Sequence, residues 1–165
     1  MTRTLILTRH AKSSWDSPAL GDHDRPLNKR GRRSAPAIGA WLHQNGWQPD
    51  EVLSSSAART RETWDRMGLQ ADTVSFHRSL YHADPEDMLL ALSGATGQAV
   101  LMLGHNPGIA TFASRIVQNP PDHARFHDYP TCATTVIRFD IDDWADIRWH
   151  SGTVQGFVVP RELLE

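Results

Sequence analysis

The chain alternates short apolar runs with longer segments in which apolar residues recur every three or four positions. Thr4 to Thr8 reads TLILT, nearly all apolar, as a strand buried on both faces does. Arg9 and His10 follow at once. Residues 12–28 are rich in Ser, Asp, Pro and Gly, which predicts a loop. From Gly31 to about Asn45, Ala35, Ile38, Trp41 and Leu42 fall at helical spacing, and Gly46 is placed to end that helix. A second short strand is predicted at Glu51 to Ser54. The helix after it carries Ala58, Thr60, Thr63, Trp64 and Met67, with Ser55 or Ser56 as its N-cap and Gly68 at its end. Thr73 to His77 fits a third strand, and a helix follows from Pro85 to about Leu92 with proline in its first turn. Gln98 to Leu103, QAVLML, reads as another buried strand, and His105 lies just past it. Asn106 is placed to cap the next helix, which holds Pro107 in its first turn and runs to about Val117. Residues 118–130 predict a long loop. Two strand-like runs close the chain, 134–139 and 147–159, joined across 140–146.

This alternation predicts a three-layer α/β/α domain with a mostly parallel sheet and helices on both faces. The last two strands have no helix between them, so they are expected to form an antiparallel pair at one side of the sheet. A length of 165 residues fits a single domain spanning 1–165, and 39% hydrophobic residues suffice for one core. Charged residues make up 22% of the chain and the net charge is -2, without the basic excess of a nucleic-acid-binding protein. The single cysteine, Cys132, excludes an intramolecular disulfide and a cysteine-based zinc site. No stretch approaches the roughly 18 apolar residues that span a membrane, and the N-terminus lacks the pattern of a signal peptide. A soluble cytoplasmic protein with neither a membrane nor a nucleic acid as partner is the expectation.

Candidate chemistry sits at the strand ends. TLILT leads to Arg9 and His10, EVLS leads to Arg59, and QAVLML leads to His105. In an open α/β sheet, ligands bind outside the carboxyl ends of the strands, so two arginines and two histidines are expected to converge there. Arg59 and Arg61 fall in the first turn of their helix, where the dipole disfavours a cation and an anion nearby would explain them; solvated surface arginines are the plainer reading. Of the nine histidines, His23, His43, His77, His82, His123, His127 and His150 have no spacing that pairs them with a chemical role. No HExxH or comparable metal signature is present, so neither a metal nor a cofactor is expected.

Thr8-Arg9-His10-Ala11-Lys12-Ser13-Ser14-Trp15 resembles the opening of the histidine phosphatase superfamily, a strand followed by Arg-His-Gly; phosphoglycerate mutases belong to the same superfamily. Arg-His-Ala-Lys-Ser is the form found in its SixA-like phosphohistidine phosphatases. Asp24-Arg25-Pro26-Leu27-Asn28-Lys29-Arg30-Gly31, Arg59-Thr60-Arg61-Glu62-Thr63, Gly104-His105-Asn106-Pro107 and Val159-Pro160-Arg161-Glu162-Leu163 extend the resemblance in order along the chain. It implies a phosphoglycerate mutase-like fold and a phosphatase acting on phosphohistidine carried by a protein. His10 would be the nucleophile, with Arg9, Arg59 and His105 holding the phosphoryl oxygens. Phosphoryl transfer spreads charge over three equatorial oxygens, and two guanidiniums and an imidazolium would supply the compensating charge without Mg²⁺. A small phosphomonoester as substrate, or a non-catalytic phosphate-binding module, remain as alternatives.

Ser13 is a candidate donor to a phosphate oxygen, or a loop residue. Arg25 is read as a partner of Asp22 or Asp24 within its loop. Larger members of the superfamily carry an inserted segment with a carboxylic acid that protonates the leaving group, and this chain is too short to hold it. Asp84, Glu86 and Asp87 occupy a comparable place, but the plainer reading is acidic residues at a helix N-terminus, where the dipole favours them.

Overall fold

The computed structural model describes residues 1–17 and 19–164, so Pro18 of the 12–28 loop and Glu165 lie outside the described residues. Ten main elements follow in chain order: β1 (Arg3–Arg9), α1 (Lys29–Gln44), β2 (Glu51–Ser55), α2 (Ala58–Met67), β3 (Thr73–His77), α3 (Pro85–Ser93), β4 (Ala99–Gly104), α4 (Gly108–Ile116), β5 (Thr134–Phe139) and β6 (Thr153–Val158). The six strands form one sheet in the order β3-β2-β4-β1-β5-β6. β3, β2, β4 and β1 run parallel. β5 pairs antiparallel with β1, and β6 antiparallel with β5 at the sheet edge.

Side chains alternate across a strand, and β1 shows what that does here. Leu5 and Leu7 enter a core with Met88 and Leu92 of α3 and Ile109, Phe112 and Ile116 of α4. Ile6 enters a second core with Ala35, Ile38 and Leu42 of α1 and Met67 of α2. The sheet is therefore covered on both faces, and its central strands are apolar throughout because neither face meets water.

Several element ends differ from the sequence-based expectation. α1 begins at Lys29, because the Asn28 side chain accepts from the Gly31 amide and caps the helix. Ser55 belongs to β2 and Ala57 stands at the N-cap of α2, so neither serine caps it. Asn106 does not cap α4 either; its amide donates to the carbonyls of Asp128 and Tyr129, and Pro107 takes the N-cap position across a cis Asn106–Pro107 bond. The largest departure is the last run, where only Thr153–Val158 is strand. Residues 150–152 are drawn off by the C-terminus of α4: the amide of His150 bonds the Arg115 carbonyl, and those of Ser151 and Gly152 bond the Ile116 carbonyl. Satisfying those terminal helix carbonyls takes precedence over sheet pairing.

The loop after β1 is held onto α1 at Gly31. A methyl group there would stand 2.1 Å from the Lys12 carbonyl oxygen, a backbone atom that cannot swing aside. Gly31→Ala is expected to destabilise the protein by about 1–3 kcal/mol, the overpacking cost outweighing the gain of about 1 kcal/mol in helix propensity. Gly21→Ala, whose added methyl group would meet nothing within 4 Å, should stay within about 0.5 kcal/mol. Urea unfolding of the two variants checks the contrast.

Candidate active site

β2, β4 and β1 are neighbours in the sheet, so their carboxyl ends open side by side. The residues singled out in the sequence emerge there. The His10 amide donates to the Gly104 carbonyl (3.1 Å), and the His10 carbonyl accepts from Cys132 (2.9 Å). The Ala11 amide donates to Thr63 Oγ1, which itself donates to the Arg59 carbonyl. Those bonds tie the turn after β1 to β4, to α2 and to the approach to β5. Ala11 is fully buried in the α1–α2 core, where its methyl group is apolar filling.

The His10 ring has one nitrogen engaged: Nδ1 lies 2.7 Å from the Ala11 carbonyl and donates to it, which leaves the lone pair on Nε2. The His105 ring stands 5.2 Å from it, centroid to centroid. His105 Nε2 lies 2.7 Å from Ser55 Oγ, and Ser55 Oγ also accepts from the Ala57 amide. We assign the serine proton to His105 Nε2, which puts the ring proton on Nδ1. That Nδ1 is buried and has no partner among the described residues; the same holds for Arg9 Nε and Arg59 Nε. Three buried donors thus stand unsatisfied beside His10, and buried donors normally have partners.

Each guanidinium is also anchored through a terminal nitrogen. Arg9 donates to the Tyr129 carbonyl. Arg59, 3% exposed, donates to the backbone carbonyl of Asp22 (2.8 Å) and to its carboxylate (3.1 Å). Asp22 also accepts from Arg25 (3.0 Å) and Tyr81 (2.5 Å) and lies 3.2 Å from His82 Nε2. The Tyr81 hydroxyl, with Arg25 and Arg59, holds the Asp22 carboxyl far below the ordinary carboxylate range, against the opposing effect of burial. Burial and this carboxylate raise Tyr81 in turn.

Burial, aided by Arg9, Arg59 and Arg25, pushes His10 down to about 3, opposed by its bond to the Ala11 carbonyl. His105 falls to about 2, through burial and then the neighbouring His10 and Arg59. Burial thus disfavours the charged form of both rings, and for His105 it opposes the imidazolium expected from sequence.

Ser13 is buried, with its hydroxyl accepting from Arg25 (2.7 Å). Arg25 makes the expected pair with Asp22 and reaches Ser13 as well. Asp84 and Asp87 close a capping box on α3, and Glu86 is held by Arg115 (2.7 Å), so all three carboxylates are engaged structurally. Sequence spacing gave Asp22, Tyr81, Ser55 and Thr63 no part in the site, and set His23 and His82 aside. His82 stacks on Tyr81 with centroids 4.0 Å apart and lies 5.6 Å from His105, while His23 Nε2 lies 2.8 Å from Ser56 Oγ. His82 has a positive φ of 55°, a region histidine visits more readily than most side chains. Among the described residues, no three His, Cys, Asp or Glu side chains gather as a metal site, and no helix is long and apolar enough to cross a membrane.

The family model of the histidine phosphatase superfamily (branch 1) matches residues 5–80, the stretch that carries His10 and Arg59. The chain belongs to this superfamily. An uncharacterized protein of Mycobacterium tuberculosis is 32% identical over 93% of this chain and 99% of its own length. An uncharacterized chloroplastic protein of Arabidopsis thaliana is 37% identical over 70% of this chain, which spans 60% of that longer protein. Among solved structures, one described as a putative phosphohistidine phosphatase SixA from Nakamurella multipartitia aligns with a TM-score of 0.83 and 29% identity over 97% of both chains.

The neutral histidines have a consequence for stability. In the unfolded chain an imidazole titrates near 6.5, so between about pH 6.5 and 3 the unfolded state binds protons that native His10 and His105 refuse. Their full contribution is present above that window. Stability should fall as pH drops through it, by up to about 1.4 kcal/mol per pH unit for each group. Denaturant unfolding between about pH 7 and 5 checks this, and His105→Asn should give a shallower slope.

Proposed function

We propose that this chain is a phosphohistidine phosphatase that acts on a phosphorylated protein through a covalent phospho-His10 intermediate, without a metal. The observation that carries the reading is the set of unsatisfied buried donors, Arg9 Nε, Arg59 Nε and His105 Nδ1, beside a histidine whose Nε2 keeps its lone pair. A tetrahedral phosphoryl group matches that need, because it brings three oxygens and a dianionic charge to two guanidiniums.

In this reading His10 Nε2 attacks phosphorus in line with the bond to the leaving group. The new P–N bond to His10 forms as the substrate's P–N bond breaks, and the departing imidazole, protonated beforehand from solvent on its other nitrogen, leaves neutral with the electron pair of that bond. Water then attacks phospho-His10. Its P–N bond breaks, inorganic phosphate leaves, and the lone pair returns to Nε2. Arg9, Arg59 and His105 hold the equatorial oxygens through both steps. The low proton affinity of His10 keeps it a free base at neutral pH, as a nucleophile must be. Ser13 supports Arg25, and its own hydroxyl proton remains available to a phosphate oxygen.

The nucleophile is tested directly. His10→Ala should lower turnover by at least about 10³-fold. A rapid quench of the wild-type protein with labelled substrate should leave acid-labile, alkali-stable label on His10. Label on a serine, or full activity in the variant, overturns the assignment. Vanadate and tungstate should inhibit by occupying the phosphoryl site, and EDTA should leave activity intact.

Substrate preference follows from the carboxylates. Asp84, Glu86 and Asp87 are engaged on or beside α3, and Asp22 is held ionised. An alkoxide leaving group without a carboxylic acid forgoes a factor of about 10²–10⁴, whereas the imidazole of phosphohistidine can be protonated before it leaves. A phosphohistidine protein should therefore turn over faster than any alkyl phosphate, with p-nitrophenyl phosphate between them. A sugar phosphate or nucleotide cleaved with a higher kcat/KM than a phosphohistidine protein would establish the small-molecule alternative instead.

A further inference from the structure

One side of the site is strongly basic. A cavity of about 320 Å³ opens beside the catalytic pocket and is lined by Arg9, Lys12, Arg30, Arg125 and Arg161, with Asp128 as its one acid. Arg125 is paired with Asp128 at 3.0 Å. A second cavity, about 670 Å³, shares Arg30 and Arg161 with the first and adds Lys29 and Arg33, with Asp16 as its one acid. Lys12, Lys29, Arg30, Arg33 and Arg161 make no ion pair among the described residues. The chain as a whole has a net charge of -2, so this is a local concentration of cations that composition does not account for. The first turn of α1 holds Lys29 and Arg30 and no acid, although the helix dipole disfavours cations there.

Arg9 lines the first cavity and also precedes His10, so the basic surface is continuous with the phosphoryl pocket. We propose that this cleft, between the start of α1 and residues 125–131, docks acidic side chains that flank the phosphorylated residue of a protein substrate. The inference rests on the protein-phosphatase reading and gives it a substrate class. Two adjoining cavities exceed what a single phosphate fills, and five long, exposed cations suit a row of carboxylates. Exposed ion pairs are weak singly and screened by salt, so the effect depends on several acting together.

The test uses two pairs of peptides, one pair bearing phosphohistidine and one phosphotyrosine, each with either Asp/Glu or Asn/Gln flanks. The aryl pair reads the cleft independently of the leaving group. For the wild-type protein, the acidic member of each pair should show a kcat/KM about tenfold higher, mainly through KM, and about 0.5 M salt should erase the advantage. Arg30→Glu combined with Arg161→Glu should also erase it, while turnover of p-nitrophenyl phosphate stays within about twofold and reports an intact fold and site. Should the double variant fold poorly, the salt dependence of the wild-type protein still decides. Equal turnover of the two phosphotyrosine peptides, or a preference that survives the double variant, overturns the proposal. So does a small bisphosphate that gains from the cleft where acidic peptides do not. An acidic preference seen only in the phosphotyrosine pair, with phosphohistidine untouched, keeps the cleft and removes the phosphohistidine reading. Phosphohistidine turnover without an acidic preference does the reverse.

Discussion

Arg25 and Arg59 lie almost wholly out of water at the carboxyl ends of the central strands, and a single carboxylate, Asp22, binds both. Without it, two desolvated guanidiniums would stand without a carboxylate partner, an arrangement that costs several kcal/mol per charge. Asp22 also reaches Tyr81 and His82, so one side chain ties the loop after β1 to α2 and to the turn before α3. The pocket can keep its cations ready because an internal anion holds them in place. Arg59 has committed its two terminal nitrogens to Asp22 and has kept Nε free.

The same cations reinforce what burial does to the histidines. Burial dominates, and Arg9, Arg59 and Arg25 add to it, so His10 stays neutral where a free imidazole would be partly charged. A pocket built to attract an anion is thus also one that keeps its nucleophile deprotonated. An entering phosphoryl group would add negative charge to that of Asp22 near His105, and it would raise the proton affinity of that ring.

What could be read from the sequence follows from periodicity. The buried strands TLILT and QAVLML, the helices between them, and the placement of Arg9, His10, Arg59 and His105 at strand ends depend on local pattern and on the rule for parallel sheets. Asp22, Tyr81 and His82 depend on neither. Asp22 and Tyr81 are 59 residues apart, both in irregular segments, and only the folded loop brings them together. His82 reads as a surface histidine for the same reason. The shortened last strand was hidden differently: residues 147–152 have strand-like composition, yet the amides of 150–152 are claimed by α4, a competition between elements that no local window contains. The charge of His105 depends on burial, which a list of residue types does not convey.

Cys132 lies one hydrogen bond from the His10 backbone, fully buried, its thiol pushed up to about 12 by desolvation. Peroxide and other oxidants attack the thiolate, and this sulfur never becomes one at physiological pH. The chain has no other cysteine. If the proposed chemistry holds, the reactive atom is an imidazole nitrogen, and with the chain's one sulfhydryl sealed in the core, thiol oxidation has no entry to the pocket.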